Sequence, residues 1–293
     1  MARGHAPGMS PNASLRIGHS RLPKHMDVQV PQAQDALERP ASRDTRASLR
    51  IAMWSGPRNI STAMMRAWEN RGDCAVSDEP LYAAYLATTG LDHPMRDEVI
   101  AAGDTDWRGV VCYLLGPVPG DRPIWYQKHM THHLLPGMLS QESGRAWIAQ
   151  LANVLLIRDP REVVVSYLKA RTTVTAEDIG LPQQVELFDM LSDAGTPPPI
   201  IDAGDFLRAP EAHLRALCTR LGIAFTERML HWPPGPRDSD GVWAPHWYAH
   251  VWQSTGFEAP PPSHAIHVPA AGAHVAEACM HHYQRLHAQR LRV

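Results

Sequence analysis

The spacing of apolar residues divides the chain near residue 49. Before that point no stretch repeats with the period of a helix or of a strand. After it, short apolar runs at 49–54, 74–76, 123–127, 153–157 and 199–201 alternate with amphipathic stretches. Asn153-Val154-Leu155-Leu156-Ile157 is apolar almost throughout, the pattern of a parallel strand covered on both faces. Helical periodicity runs over 60–70, 160–171, 177–193, 210–222 and 273–292. Strands alternating with helices predict a three-layer α/β domain over 49–293, with a central parallel sheet, right-handed crossovers and helices on both faces.

Residues 1–48 contain Pro7, Pro11, Pro23, Pro31 and Pro40, and the first 50 positions carry eight Lys/Arg against four Asp/Glu. A basic, proline-rich, non-periodic stretch cannot offset its ordering entropy, so the expectation is a disordered tail. It has no apolar core of a secretory signal; a transit peptide, or a start at Met26 or Met53, are its other readings. Over all 293 residues the hydrophobic fraction is 44% and the charged fraction 20%, which excludes a collagen, a coiled coil or a wholly disordered chain. The net charge of −2 argues against nucleic-acid partners, and apolar runs of at most about six residues argue against a membrane span. Cys74, Cys112, Cys218 and Cys279 form no C-x-x-C pair, which fits a reducing cytoplasm. A homodimer is compatible with this composition.

Two segments carry anion-binding chemistry. The first strand runs into Ser55-Gly56-Pro57-Arg58-Asn59-Ile60-Ser61-Thr62 and then a helix. Free amides of a first helical turn, the helix dipole, two hydroxyls and a guanidinium suit an oxyanion, with Gly56 letting the backbone approach it. The G-x-x-x-x-G-K-[ST] loop of nucleoside triphosphatases is absent, so no Mg²⁺ ligand set is expected. The second segment is Arg158-Asp159-Pro160-Arg161-Glu162-Val163-Val164-Val165-Ser166-Tyr167, after the strand at 153–157. Arg158 stands where open α/β sheets bind ligands, and Ser166 lies eight positions on, along the next helix. Taken singly, each segment also reads as an ordinary helix start.

Together, in this order and about a hundred residues apart, the two segments resemble the 5′-phosphosulfate loop and the 3′-phosphate motif of sulfotransferases. The resemblance covers roughly 50–257 and implies a P-loop-like fold, the donor 3′-phosphoadenosine-5′-phosphosulfate (PAPS), no metal, and a small-molecule or carbohydrate acceptor hydroxyl. It implies Ser55, Gly56, Arg58, Asn59, Ser61 and Thr62 at the 5′-phosphosulfate, and Arg158 and Ser166 at the 3′-phosphate. Arg237, with Gly241 and Trp243, looks like a loose version of the family's closing loop. Arg58 stands where cytosolic members carry Lys.

Two residues compete as the base. Glu79, in Ser77-Asp78-Glu79-Pro80, is similar to the G-E-P segment of bacterial carbohydrate sulfotransferases. His129 follows Lys128 in a segment like the K-x-H of cytosolic members, where Lys lies near the sulfate. Glu79 has the better local match, and His132 is next in line. Among the 17 histidines, the adjacent pairs His132-His133 and His281-His282 are not the i, i+4 pair of H-E-x-x-H, and no metal site is expected. Trp243 and Trp247 share a helix face and offer an aromatic wall. Two other readings stand beside this one: a nucleotide kinase or other P-loop nucleotide-binding enzyme, and a non-catalytic nucleotide-binding protein on the same scaffold.

Overall fold

The computed structural model describes residues 48–135, 137–260 and 266–293. The disordered-tail expectation covers 1–48 and, apart from Ser48, lies outside these residues. Five strands are described: β1 (Leu49–Ser55), β2 (Cys74–Asp78), β3 (Ile124–Met130), β4 (Ala152–Ile157) and β5 (Ile200–Asp202). They form one sheet in the order β2-β3-β1-β4-β5, every pairing parallel.

Helix α1 (Ser61–Glu69) joins β1 to β2. Between β2 and β3 lie α2 (Tyr82–Thr89), α3 (Arg96–Ala102) and α4 (Trp107–Leu115), and α5 (Glu142–Ile148) precedes β4. Then come α6 (Pro160–Tyr167), α7 (Ala176–Ile179) and α8 (Leu181–Asp193). After β5 follow α9 (Ala203–Arg208), α10 (Pro210–Arg220), α11 (Ala244–Trp247), α12 (Ala249–Gln253) and α13 (Ala270–Ala288).

Alternation along the strands splits the core in two. Ala52, Trp54, Trp125, Leu155 and Ile157 pack with residues of α2–α8 and α13 on one face. Ile51, Met53, Tyr126, Val154 and Leu156 pack with Met64, Met65 and Trp68 of α1 and Leu214 and Leu217 of α10 on the other. The expected three-layer α/β arrangement is therefore observed. The strand order reverses direction at β1, which pairs β3 on one side and β4 on the other, so loops after β1 and β4 open a crevice at the carboxyl edge.

The sequence reading differs in several places, among them the last helix, expected over 273–292 and observed over Ala270–Ala288. The helix expected over 177–193 breaks at Gly180, whose φ of 76° ends α7 and starts α8. The helix expected over 160–171 stops at Tyr167. The helices α2–α5 are absent from the sequence reading; each is nine residues or fewer and draws its stability from packing.

Candidate active site

A cavity of about 410 Å³ opens at this carboxyl edge, within the roughly 300–1,000 Å³ of ligand pockets. One part of its wall is basic. The turn after β1 carries Arg58 with φ 51°, a left-handed backbone uncommon for a side-chain-bearing residue. Asn59 fixes this turn: its Oδ1 accepts from the Ile60 amide at 2.8 Å and its Nδ2 donates to Leu156 O at 3.1 Å. Arg58 Nε donates to Ser166 Oγ at 3.0 Å, and Arg158 Nη1 donates to Arg58 O at 3.1 Å. Arg158 also pairs with Glu162 at 2.8 Å, whereas Arg58 has no carboxylate partner among the described residues. Burial, reinforced by the neighbouring Arg158, lowers the Arg58 pKa. Ser61 and Thr62 line the same wall, and the first-turn amides of α1 are free of intrahelical partners. Two guanidiniums, two hydroxyls and a helix start thus converge where an anion would be charge-compensated.

The second part of the wall is an acid–base cluster at the ends of β2 and β3. Glu79 has φ 43° although proline follows, a conformation that costs on the order of 1–3 kcal/mol and has to be imposed by its surroundings. Its amide is held by Lys128 O at 2.9 Å, continuing the Asp78–Lys128 register. The Lys128 ammonium is fully buried and donates to Asp78 Oδ1 at 2.8 Å, Glu79 Oε1 at 2.6 Å and Tyr248 OH at 2.6 Å. Its three protons are therefore spent. Burial alone would depress Lys128, but Asp78, Glu79 and Tyr248 outweigh it and hold its pKa well above the usual lysine value. Burial raises the Glu79 carboxyl, with the Asp78 charge adding to it and Lys128 opposing. Glu79 Oε2 stays clear of Lys128 and lies 4.0 Å from His133 Nε2.

The segment 237–260 closes the cavity. Asp240 accepts from Arg66 at 2.5 and 2.7 Å and from Trp252 Nε1 at 3.0 Å, and the Gly241 amide donates to Asp78 Oδ2 at 3.1 Å. Trp243 meets Tyr82 edge-on at 5.1 Å, and Trp247 lies under the Arg58 guanidinium at 5.9 Å.

The structure sorts the sequence-predicted residues. Arg58, Asn59, Ser61, Thr62, Glu79, Lys128, Arg158 and Ser166 all line the cavity. Ser55 and Gly56 do not. Ser55 is fully buried with Oγ on Met130 Sδ at 3.7 Å, and Gly56 is bare because a Cβ would sit 2.3 Å from Ile179 O. Arg237 also lies off the cavity: its guanidinium donates to Pro233 O at 3.0 Å and its amide to Asp240 at 2.9 Å. His129 is buried on the opposite side of β3 from Lys128, since neighbouring strand residues alternate. It stacks on Trp54 with ring centroids 4.3 Å apart, and burial pulls its pKa down to about 3. His132 and His133 face the cavity instead. Tyr82, His93, His133 and Tyr248 are not among the sequence-predicted site residues; the His132-His133 pair is the available signal, read there for metal spacing and, at His132, as a further candidate base. Among the described residues, Asp202, Asp205 and His287 come nearest to a ligand cluster, but Arg290 and Tyr283 engage the two carboxylates.

Residues 49–290 match the sulfotransferase-domain family. Two curated proteins of Arabidopsis thaliana, branched-chain-amino-acid aminotransferase-like proteins 2 and 1, are 39% and 40% identical over 210 residues, 72% of this chain. The chain spans little more than a third of their length, 36% and 37%. Among solved structures, the sulfotransferase domain from the curacin biosynthetic pathway overlaps 80% of this chain and 97% of its own, at 17% identity and a TM-score of 0.44. The sulfotransferase domain of the Synechococcus PCC 7002 olefin synthase overlaps 82% and 98%, at 16% identity and a TM-score of 0.45.

Proposed function

The chain belongs to the sulfotransferase family, and on that premise we propose that it moves a sulfuryl group from PAPS to a hydroxyl of a small molecule or carbohydrate. The observation that carries this reading is the convergence of Arg58, Arg158 and Ser166 on one cavity wall, 5′ and 3′ motifs joined by hydrogen bonds of 3.0 and 3.1 Å. Arg58, Ser61, Thr62 and the first amides of α1 hold the 5′-phosphosulfate, and Arg158 with Ser166 holds the 3′-phosphate. Leu207, Val251 and Phe257 supply an apolar patch for the adenine.

Glu79 takes the acceptor proton through Oε2. The raised pKa makes it a stronger base than an ordinary carboxylate. His129 is set aside as base because it lies in the core, and Lys128 acts as a positioning residue because its protons are all engaged. Arg58 then supplies the cation beside the departing phosphate oxygen, at the position where cytosolic members of the family carry Lys.

The test is thermal stabilisation of the full chain by adenosine 3′,5′-bisphosphate compared with ATP and ADP. The expected order puts the bisphosphate first. Dominant stabilisation by ATP with Mg²⁺ would move the reading to a nucleotide kinase; nucleotide binding with no transfer to any acceptor would make the chain a non-catalytic binder.

A further inference from the structure

The polar wall around Glu79 is formed by Tyr82, His93, His132, His133, Trp243 and Tyr248. Most of its hydrogen-bonding capacity is used inside the protein. The Tyr248 hydroxyl accepts from Lys128 and from Trp243 Nε1 at 3.2 Å and donates to Asp78 at 2.7 Å. The Tyr82 hydroxyl is bonded to His93 Nδ1 at 2.8 Å. The Nδ1 atoms of His132 and His133 are sealed from solvent. Among the described residues, the wall atoms still open to a ligand are Glu79 Oε2 and the Nε2 atoms of His93, His132 and His133.

These atoms select by charge. Burial lowers all three imidazoles, His132 to about 3, so at neutral pH each is uncharged and presents one donor or one acceptor at Nε2. Among the described residues no cation lines this wall: Lys128 is fully engaged, and Arg171, whose charge reaches Tyr82 and His93, lies off the cavity with its guanidinium on Asp92 O at 3.0 Å. An anionic acceptor would lose water without gaining an opposite charge. An ammonium would occupy Glu79 Oε2 and stop it from taking a proton. The ring faces do not form a cage for a cation either: Tyr82 stacks on His133 at 4.6 Å, and the Tyr248 ring already lies under Lys128 at 5.0 Å. Neutral hydroxyls, which both donate and accept, match what remains.

Resting on the sulfotransferase reading, we infer that the acceptor is an uncharged ring compound with neighbouring hydroxyls, a sugar or a polyphenol, one hydroxyl reacting at Glu79 while others bond the three imidazoles. In the transfer the acceptor O–H bond breaks and its proton passes to Glu79 Oε2. The oxygen's electron pair forms the new O–S bond. The bond from sulfur to the 5′-phosphate oxygen breaks, and its electron pair leaves on adenosine 3′,5′-bisphosphate.

Two matched series test the inference: methyl glucoside, glucuronide and glucosaminide, and methylcatechol, dihydroxyphenylacetate and dopamine. Binding to the full chain is measured calorimetrically with and without the bisphosphate, and transfer is measured from PAPS. The neutral member should bind and react at least about tenfold better than both charged partners in one series, and the leading series tells sugar from polyphenol. A charged member equal to or better than the neutral one in both series, or no binding by any of the six, overturns the inference. Stabilisation by the bisphosphate alone reports the donor reading separately. His93→Lys should raise the glucuronide relative to the glucoside; an unchanged ratio overturns the assignment of this wall.

Discussion

The Arg58 guanidinium and the Ser166 hydroxyl, 108 positions apart in the chain, meet at 3.0 Å across the mouth of the crevice between β1 and β4. Ser166 thus touches the cation assigned to the 5′ side while standing on the helix assigned to the 3′ side. An anion bridging the two would be contacted by both motifs at once.

The nucleotide follows from this contact. Adenosine 3′,5′-bisphosphate should bind more tightly than adenosine 5′-monophosphate, and Arg158→Ala should remove most of the difference. A charge-assisted contact contributes roughly 1.5–3 kcal/mol, about ten- to hundredfold in affinity. Calorimetric titration of both nucleotides decides it, and equal affinities for the wild type would refute the 3′-phosphate assignment.

Glu79→Gln should lower turnover by roughly 10²–10⁴ and leave bisphosphate affinity nearly unchanged. A base must be deprotonated to act, and the Glu79 carboxyl is raised by burial. The kcat/KM profile should therefore climb with pH through a value above the ordinary carboxylate range and lose that limb in the variant. A wild-type profile flat in this region counts against Glu79.

Lys128→Met would leave the Asp78 and Glu79 carboxylates side by side without their shared cation. Breaking a buried pair in this way costs about 3–5 kcal/mol. Urea unfolding should show that loss, and the combination with Asp78→Asn and Glu79→Gln should recover part of it. No loss in the single variant would mean that Lys128 does not hold the two carboxylates.

His129 is held neutral, with its pKa depressed to about 3 from the ordinary value near 6.5. Below about pH 6.5 the unfolded chain binds a proton that the folded chain refuses, so stability falls as pH drops from about 6.5 toward 3. His129→Phe keeps a ring against Trp54 and should lose less stability between pH 7 and pH 4.5, read as denaturant midpoints. An identical loss in both proteins would exclude His129 as a contributor.

Gly56→Ala would bring a Cβ against the Ile179 carbonyl. Overpacking of this kind costs about 1–3 kcal/mol, or about 2–12 °C in Tm for a domain of this size. The displaced turn carries Arg58, so bisphosphate affinity should fall with it. An unchanged Tm together with unchanged affinity would show that α7 yields freely.

Much of the architecture is written in short-range pattern. Strand runs such as 153–157 and the Gly-Pro and Asp-Pro helix starts report local preferences and burial on both faces, so the α/β class and both anion motifs are legible in the chain itself. The short helices α2–α5 are not: they draw their stability from packing, and unlike the equally short α1 and α6 they do not follow a strand with an anion motif that marks their start. The acid–base cluster needed the tertiary structure for a sharper reason. Lys128 and His129 are neighbours in sequence, yet the two-residue period of β3 sends one to the cavity wall and the other to the core beside Trp54. Tyr248 reaches Lys128 from 120 positions away, and only long-range closure of the 237–260 segment decides that Lys128 is fully engaged while one oxygen of Glu79 stays free.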